Sequence, residues 1–333
     1  MSITTTTPRS TLAGSGYLRQ PGEPEAEAFG SDLSGRIMRY WLAIRPPFLT
    51  ASIMPVIVGT AWGAAQAGSL NAASALLALL CMVLGHSAGN LINDVHDDIT
   101  GNDAVNTDRI YPFSGGSRFI QNGIMSRREM LIFALVLLAL TAVPGLFLLA
   151  RHGWGIAGFG AVLAGLLALH HVPPVKLSYR GFAETIIALT FGVVPVLMAS
   201  WLQTGGWNGL TVLVSLPVAM WVANILLINE IPDRDADARS GKKTFVVLMG
   251  VERARVLHKA MNAVAFTACL MLVALGHLAV LGLIGAAILL GLGLRSANAI
   301  DIGDRDQMIS AIKTTLGVHA LGSLWLAGWI AVS

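Results

Sequence analysis

Two stretches of this 333-residue chain gather carboxylates and carboxamides at helical spacing: NLINDVHDD at 90–98 and NEIPDRDAD at 229–237. In the first, Asn90, Asn93, Asp94, Asp97 and Asp98 follow i, i+3, i+4, i+7 and i+8, so on a helix they share one stripe. In the second, Asn229, Asp233 and Asp237 recur every fourth residue. Gly101 permits a turn that brings Asp103 back toward the first stripe. Asn93 and Asp97 are as far apart as Asn229 and Asp233, which makes the two stretches a weak internal repeat. Several carboxylate oxygens converging from one face suit Mg²⁺, a hard cation with oxygen ligands. The expected ligands are Asp94, Asp97, Asp103, Asp233 and Asp237. A lone Asp at the end of an apolar helix is ordinarily just solvated, but two matching Asn-plus-Asp stripes are poorly explained that way. Asp98, Asp108, Asp235 and Glu230 lie off the repeated spacing, and for them the solvated reading stands level with the functional one.

Cations crowd the same neighbourhoods. Lys176 and Arg180 follow the HVPP segment, Arg118 sits in the glycine-rich PFSGGSR, and Lys242 and Lys243 close the second acidic stretch. Metal-bound carboxylates surrounded by Lys and Arg are the arrangement that holds a diphosphate. Arg127, Arg128, Arg253 and Arg255 read instead as anchors at a membrane surface.

The elements that must position these groups are membrane helices. Hydrophobic residues make up 54% and charged residues 12% of the chain, and the mean hydropathy is +0.67, too apolar for one soluble core. Apolar runs at 48–67, 71–92, 129–150, 154–171, 183–203, 208–229, 257–276, 278–295 and 312–332 predict an all-α polytopic protein with about nine transmembrane helices. With nine crossings, every Lys and Arg except Arg151, and every Asp and Glu, falls on the side of the N-terminus. The positive-inside rule makes that side cytoplasmic. Residues 1–35, rich in Thr, Gly, Pro and Glu, read as a disordered tail without the apolar core of a signal peptide, and residues 36–333 as one transmembrane domain. The stretch 36–45 suits an amphipathic surface helix with Tyr40 and Trp41 at headgroup level. Cys81 and Cys269, both inside predicted spans, read as inert buried thiols. The lipid bilayer is the expected surrounding, and nucleic acid is not an expected partner.

A cation-coupled transporter is the competing class, since acids near broken helices are common there. A carrier needs polar groups reaching its far half, where this chain offers only Arg151 and His152.

From Arg45 onward the sequence resembles the UbiA superfamily of intramembrane aromatic prenyltransferases. The resemblance rests on the RPP opening at 45–47, the first Asp motif, the PPVKLSYRG loop at 173–181 with Glu184 following, and NEIPDRDADARSGKKT. The first motif has Gly101 where the commonest form has its last acid, with Asp103 next. That form, with the SGGSR-x-I-Q-x-G loop at 114–123, is similar to the MenA-type 1,4-dihydroxy-2-naphthoate prenyltransferases; Phe182-Ala183 departs from the Leu-Gly common in that branch. The resemblance implies nine helices around a central cavity open to the cytoplasmic face and laterally to lipid. It also implies Mg²⁺-assisted transfer of a polyprenyl group from its diphosphate to an aromatic acceptor. That acceptor is 1,4-dihydroxy-2-naphthoate in menaquinone synthesis, or alternatively 4-hydroxybenzoate, homogentisate, a tetrapyrrole or a glycerol-type lipid. Carried onto this chain, Asn93, Asp97, Asn229, Asp233 and Asp237 match the metal and diphosphate positions, while Lys176, Tyr179 and Arg180 match the loop that touches diphosphate or acceptor. Asp97, Asp233, Lys176 and Arg180 are thereby the expected catalytic groups. Asn90, Asn93, Arg45, Arg118, Tyr179, Asn229 and Lys242 are the expected substrate contacts, and His96 is a further candidate. An integral protein of the inner membrane is expected.

Overall fold

A computed structural model describes residues 19–172 and 174–332 of the chain. Every regular element among the described residues is helical. The principal helices are α1 (Leu33–Ala43), α2 (Thr50–Ala67), α3 (Ala72–Thr100), α4 (Arg127–His152), α5 (Trp154–His171), α6 (Ala183–Thr204), α7 (Leu210–Arg239), α8 (Val251–Ala274), α9 (Gly282–Asn298) and α10 (Arg305–Val332). Seven of these, α2 extended back to Pro46, α3, α4, α6, α7, α8 and α10, are long and apolar enough to cross a membrane. The other two expected spans form the shorter apolar helices α5 and α9.

The two helices that carry the acids are the longest. α3 has 29 residues and α7 has 30, each about 44 Å or slightly more at 1.5 Å per residue, against ~30 Å of hydrocarbon. Each therefore runs beyond the apolar stretch read from the sequence, and its acidic end projects past that stretch as continued helix. α3 stops where Gly101 takes a left-handed conformation, φ 73°, which a side chain would resist.

Helices adjacent in sequence close the wall. α3 packs along α4, α7 along α8, α8 along α9 and α9 along α10. α10 and α6 both pack on α2, so the last helix returns to the first and the walls enclose an interior. Small residues let α2 and α6 approach: a Cβ on Gly59 would strike the Val196 carbonyl oxygen. α6 carries a π-helical turn at Leu189–Val193, a local widening often found at functional sites, and its Thr190 and Phe191 line the interior.

The expected tail divides in two. Residues 1–18 lie outside the described residues, whereas Glu23 is buried and forms an ion pair with Arg109. The segment from Arg19 to Gly30 is thus seated on the protein chiefly by polar contacts, with Phe29 against Phe119 at its end, a mode of packing that an apolar-period reading does not register. α1 follows as expected, exposing Leu33, Ile37 and Trp41 on one side at i, i+4, i+8.

Candidate active site

A cavity of about 750 Å³ lies inside the ring of helices. Its deep wall is apolar, with Met82, Leu149, Ile156, Ile187 and Phe191 among its residues, and its polar mouth gathers Asp97, Asp103, Asp233, Asp237 and Lys242. Leu138 and Leu146 of α4 and Leu167 of α5 line the cavity and are themselves exposed, so the wall is incomplete on that side.

At the mouth the two halves of the chain meet directly. Lys242 Nζ donates to Asp97 Oδ1 at 2.9 Å and stands 3.5 Å from Asp237 Oδ1. Asn102 Nδ2 donates to Asp237 Oδ1 at 3.3 Å, and Asn106 Nδ2 to Asp233 Oδ1 at 2.8 Å. Asn93 Nδ2 donates to Asp97 Oδ2 at 3.0 Å, one helical turn along α3. Burial works against the charge of Lys242, but Asp97 and Asp237 outweigh it and raise the ammonium's pKa above its ordinary value, so it stays protonated.

The loop between α3 and α4 forms a backbone cradle at this mouth. The Gly115 amide donates to Asp233 Oδ2 at 3.1 Å, and the Ser117 amide to Asp94 Oδ2 at 3.0 Å. Gly115 and Gly116 both have φ 74°, and a Cβ on Gly116 would lie 2.9 Å from Asp94 Oδ1. Asp103 is fixed by Gln121 Nε2 at 2.9 Å and by Arg118 at 3.3 Å. Burial, reinforced by the nearby Asp97 and Asp94 charges, pushes its carboxyl well above the usual range despite Arg118.

Three non-glycine residues among those described have left-handed backbones: Arg45, Arg118 and Lys176. All three are cations singled out from the sequence, and such conformations gather at functional sites. They have different surroundings. Arg45 lines the cavity, with its guanidinium 4.6 Å from the Phe48 ring centre and Nη2 donating to the Phe113 carbonyl at 3.3 Å. Arg118 is turned inward, 1% exposed, with Nη1 donating to the Asp103 carbonyl at 2.8 Å. It does not line the cavity, and its guanidinium stands 3.3 Å from Asp103 Oδ1. Lys176 Nζ lies 3.8 Å over the Tyr179 ring, and Tyr179 is the member of that pair that faces the cavity. Burial raises the Tyr179 phenol above its usual pKa. Arg180 is exposed, with Nη2 on the Pro174 carbonyl at 2.7 Å, away from the cavity wall. Pro173 of the same motif lies outside the described residues.

Of the remaining expected residues, Asn90 and Asn229 line the cavity, and Asn90 Nδ2 also donates to the Ile44 carbonyl at 2.9 Å. Asp94 sits behind the wall in the glycine cradle. His96 and Asp103 line the cavity, whereas Asp98 pairs with Arg127 and Asp235 with Arg234. Glu230, off the repeated spacing, also faces the cavity. Sequence reasoning missed Asn102 and Asn106, whose one signal is that they are carboxamides just past the first motif, and it quoted Gln121 only as part of the 114–123 loop, without a role.

Among the described residues no three acidic, His or Cys side chains close on a single metal-sized point; Lys242 stands between Asp97 and Asp237 instead. The donor chemistry nevertheless fits Mg²⁺. Asp94 Oδ1, Asn102 Oδ1 and Asn229 Oδ1 are buried oxygens without a hydrogen-bond partner, and buried acceptors left unmatched call for a cation, water or ligand.

The UbiA prenyltransferase family model matches residues 52–317. The 1,4-dihydroxy-2-naphthoate octaprenyltransferase of Bacillus subtilis is 30% identical over 73% of this chain and 74% of its own. The enzyme of the same name from Mycobacterium tuberculosis is 31% identical over 86% of this chain and 94% of its own. In fold, the chain is similar to a UbiA homolog from Archaeoglobus fulgidus bound to DMAPP and Mg²⁺, with TM-score 0.58 and 15% identity over 89% of this chain and all of that one.

Proposed function

The chain belongs to the UbiA prenyltransferase family, a Mg²⁺-dependent membrane prenyltransferase, and from that premise we propose that it transfers a polyprenyl group to 1,4-dihydroxy-2-naphthoate. The observation that carries the site assignment is the meeting of Asp97, Lys242 and Asp237 at 2.9 and 3.5 Å over the mouth of an apolar cavity. The acceptor assignment is supported by the two bacterial relatives of that name. It is further supported by Arg45, a cation in the cavity wall beside Phe48, which suits an aromatic ring bearing a carboxylate.

In this reading, Asp97, Asp103, Asp233 and Asp237, with Asp94 behind them, hold Mg²⁺, and Asn93 and Asn229 complete the polar rim. Bound there, the ion supplies Lewis-acid neutralisation of the diphosphate leaving group. Lys242 adds a hydrogen-bonding positive charge where negative charge builds up as the allylic C–O bond breaks. Tyr179 lines the same cavity with Lys176 over its ring, and Arg180 of that loop is turned to the Pro174 carbonyl. The diphosphate leaves with the electrons of the C–O bond, and a ring carbon gives a π pair to the new C–C bond. The group displaced from that carbon leaves without its bonding pair, as a proton or, from the carboxylate-bearing carbon, as CO₂, which restores the aromatic ring. The apolar wall keeps water from the allylic cation, and the open side at α4 and α5 gives the polyprenyl tail a route into lipid. All nine helices, α5 and α9 included, cross the inner membrane in this reading, with the N-terminus and the cavity mouth on the cytoplasmic face.

The test is incubation of the purified protein with geranyl or farnesyl diphosphate and a panel of aromatic acids, with and without Mg²⁺, reading products by mass. A prenylated 1,4-dihydroxynaphthalene product, with or without its carboxylate, formed only with Mg²⁺ is expected. Prenylation of 4-hydroxybenzoate or homogentisate in its place contradicts the acceptor assignment, and full transfer by Asp97→Ala contradicts the site.

A further inference from the structure

The segment from Arg19 to Phe29 is tied to the loop between α3 and α4 along its length. Gln20 Nε2 donates to the Thr107 carbonyl at 2.9 Å, while its Oε1 accepts from Arg305 Nη1 at 2.8 Å. Arg305 also donates to the Arg109 carbonyl at 3.3 Å, Asn122 Nδ2 donates to the Pro24 carbonyl at 3.1 Å, and the Phe29 and Phe119 rings stand 5.7 Å apart. At the centre is Glu23, whose Oε1 accepts from Arg109 Nε at 2.7 Å and Nη2 at 2.6 Å. Both partners are buried, Glu23 to 8% and Arg109 to 3% exposure.

The other side of Arg109 faces the candidate active site. Its Nη1 donates to the Asn106 carbonyl at 2.5 Å, and Asn106 in turn donates to Asp233 Oδ1 at 2.8 Å. Its aliphatic stem packs under Gly115, so tightly that a Cβ there would stand 2.7 Å from Arg109 Cβ and Cδ. Gly115 donates its amide to Asp233 Oδ2 at 3.1 Å. Both oxygens of Asp233 are therefore held by groups that rest on Arg109. Removing one partner of a buried ion pair leaves an uncompensated charge, so loss of Glu23 disturbs the contacts that rest on Arg109.

We infer that Glu23 is a positioning residue for the metal and diphosphate site: its buried pair with Arg109 sets the Asn106 and Gly115 contacts that aim Asp233. Glu23 touches no reacting atom. The inference rests on the reading of Asp233 as part of the diphosphate clamp.

The experiment compares full-length Glu23→Gln, Glu23→Asp, Gln20→Ala and Asp233→Asn with the unaltered protein, measuring prenyl transfer across a Mg²⁺ titration together with the melting temperature in detergent. Glu27→Gln, at an exposed position of the same segment, is the control. Glu23→Gln is expected to raise the Mg²⁺ midpoint about tenfold, as loss of a residue behind a metal ligand typically does. Glu23→Asp should recover part of that shift, and Gln20→Ala should shift the midpoint less but in the same direction. An unchanged midpoint in Glu23→Gln overturns the inference, as does an activity loss equal at every Mg²⁺ concentration, which means fewer folded molecules. Should Glu23→Gln fail to fold, an unchanged midpoint in Gln20→Ala overturns it. A fully active Asp233→Asn removes the site reading and the inference together; an inactive one beside a wild-type Glu23→Gln removes the inference alone.

Discussion

Asp103 is a carboxylate that the fold holds at a disadvantage. Burial disfavours its charge, Asp97 and Asp94 add to the effect, and the folded carboxyl keeps its proton to a higher pH than in the unfolded chain. The native state then binds more protons than the unfolded one between the two pKa values, so without Mg²⁺ this group's contribution to stability falls as pH rises through that window. Asp103→Asn is expected to raise the metal-free melting temperature, at about 1 kcal/mol, to flatten its pH dependence and to abolish transfer. A lower metal-free melting temperature in the variant contradicts this. The cations at the mouth can be ranked in the same way. Lys242→Gln removes the ammonium between Asp97 and Asp237 and is expected to lower kcat/KM by about a hundredfold, well beyond the effect of Arg180→Gln, whose guanidinium is spent on the Pro174 carbonyl. Equal effects in steady-state kinetics would place Arg180 at the diphosphate instead.

At the scale of elements, α3 and α7 were legible because their polar residues keep the helical period past the end of the apolar run. The loop between α3 and α4 was not. Its contacts run from backbone amides of Gly115 and Ser117 to acids on two distant helices, and no periodicity encodes a turn closed by tertiary contact. Arg118 is a case in point: a cation in a glycine-rich loop reads as a ligand for an anion, and the anion its inward-turned side chain meets in the fold is Asp103. The N-terminal segment read as a tail because polar and proline-rich composition lacks apolar period, and the partner of Glu23 lies far away in sequence. The cradle itself is testable through Gly116→Ala. The left-handed backbone alone costs about 1–2 kcal/mol for a side chain, and the new methyl presses on Asp94 Oδ1. A lower melting temperature and a higher Mg²⁺ requirement are expected together; a variant with both unchanged would mean the cradle is not held as described.

For the whole molecule, the separation of an acidic, cationic mouth from an apolar chamber suits the proposed reaction, in which a diphosphate ionises and the cation formed is shielded from water. The orientation proposed above rests on the same charge asymmetry. Cysteines placed at Arg151 and Arg253, with Cys81 and Cys269 replaced, are expected to react with a membrane-impermeant thiol reagent from opposite sides of sealed vesicles. Labelling of both from one side would contradict the arrangement of crossings.

The central claim is that acids from the two halves of the chain act on one diphosphate. Calorimetric binding of a non-reactive farnesyl diphosphate analogue with Mg²⁺ to wild type, Asp97→Asn, Asp233→Asn and the double variant tests it most directly. Each single change is expected to abolish nearly all Mg²⁺-dependent affinity, with the double variant no weaker than either, the strong coupling of groups that share a ligand. Additive losses, or wild-type affinity in either single variant, would show two independent sites and contradict the claim.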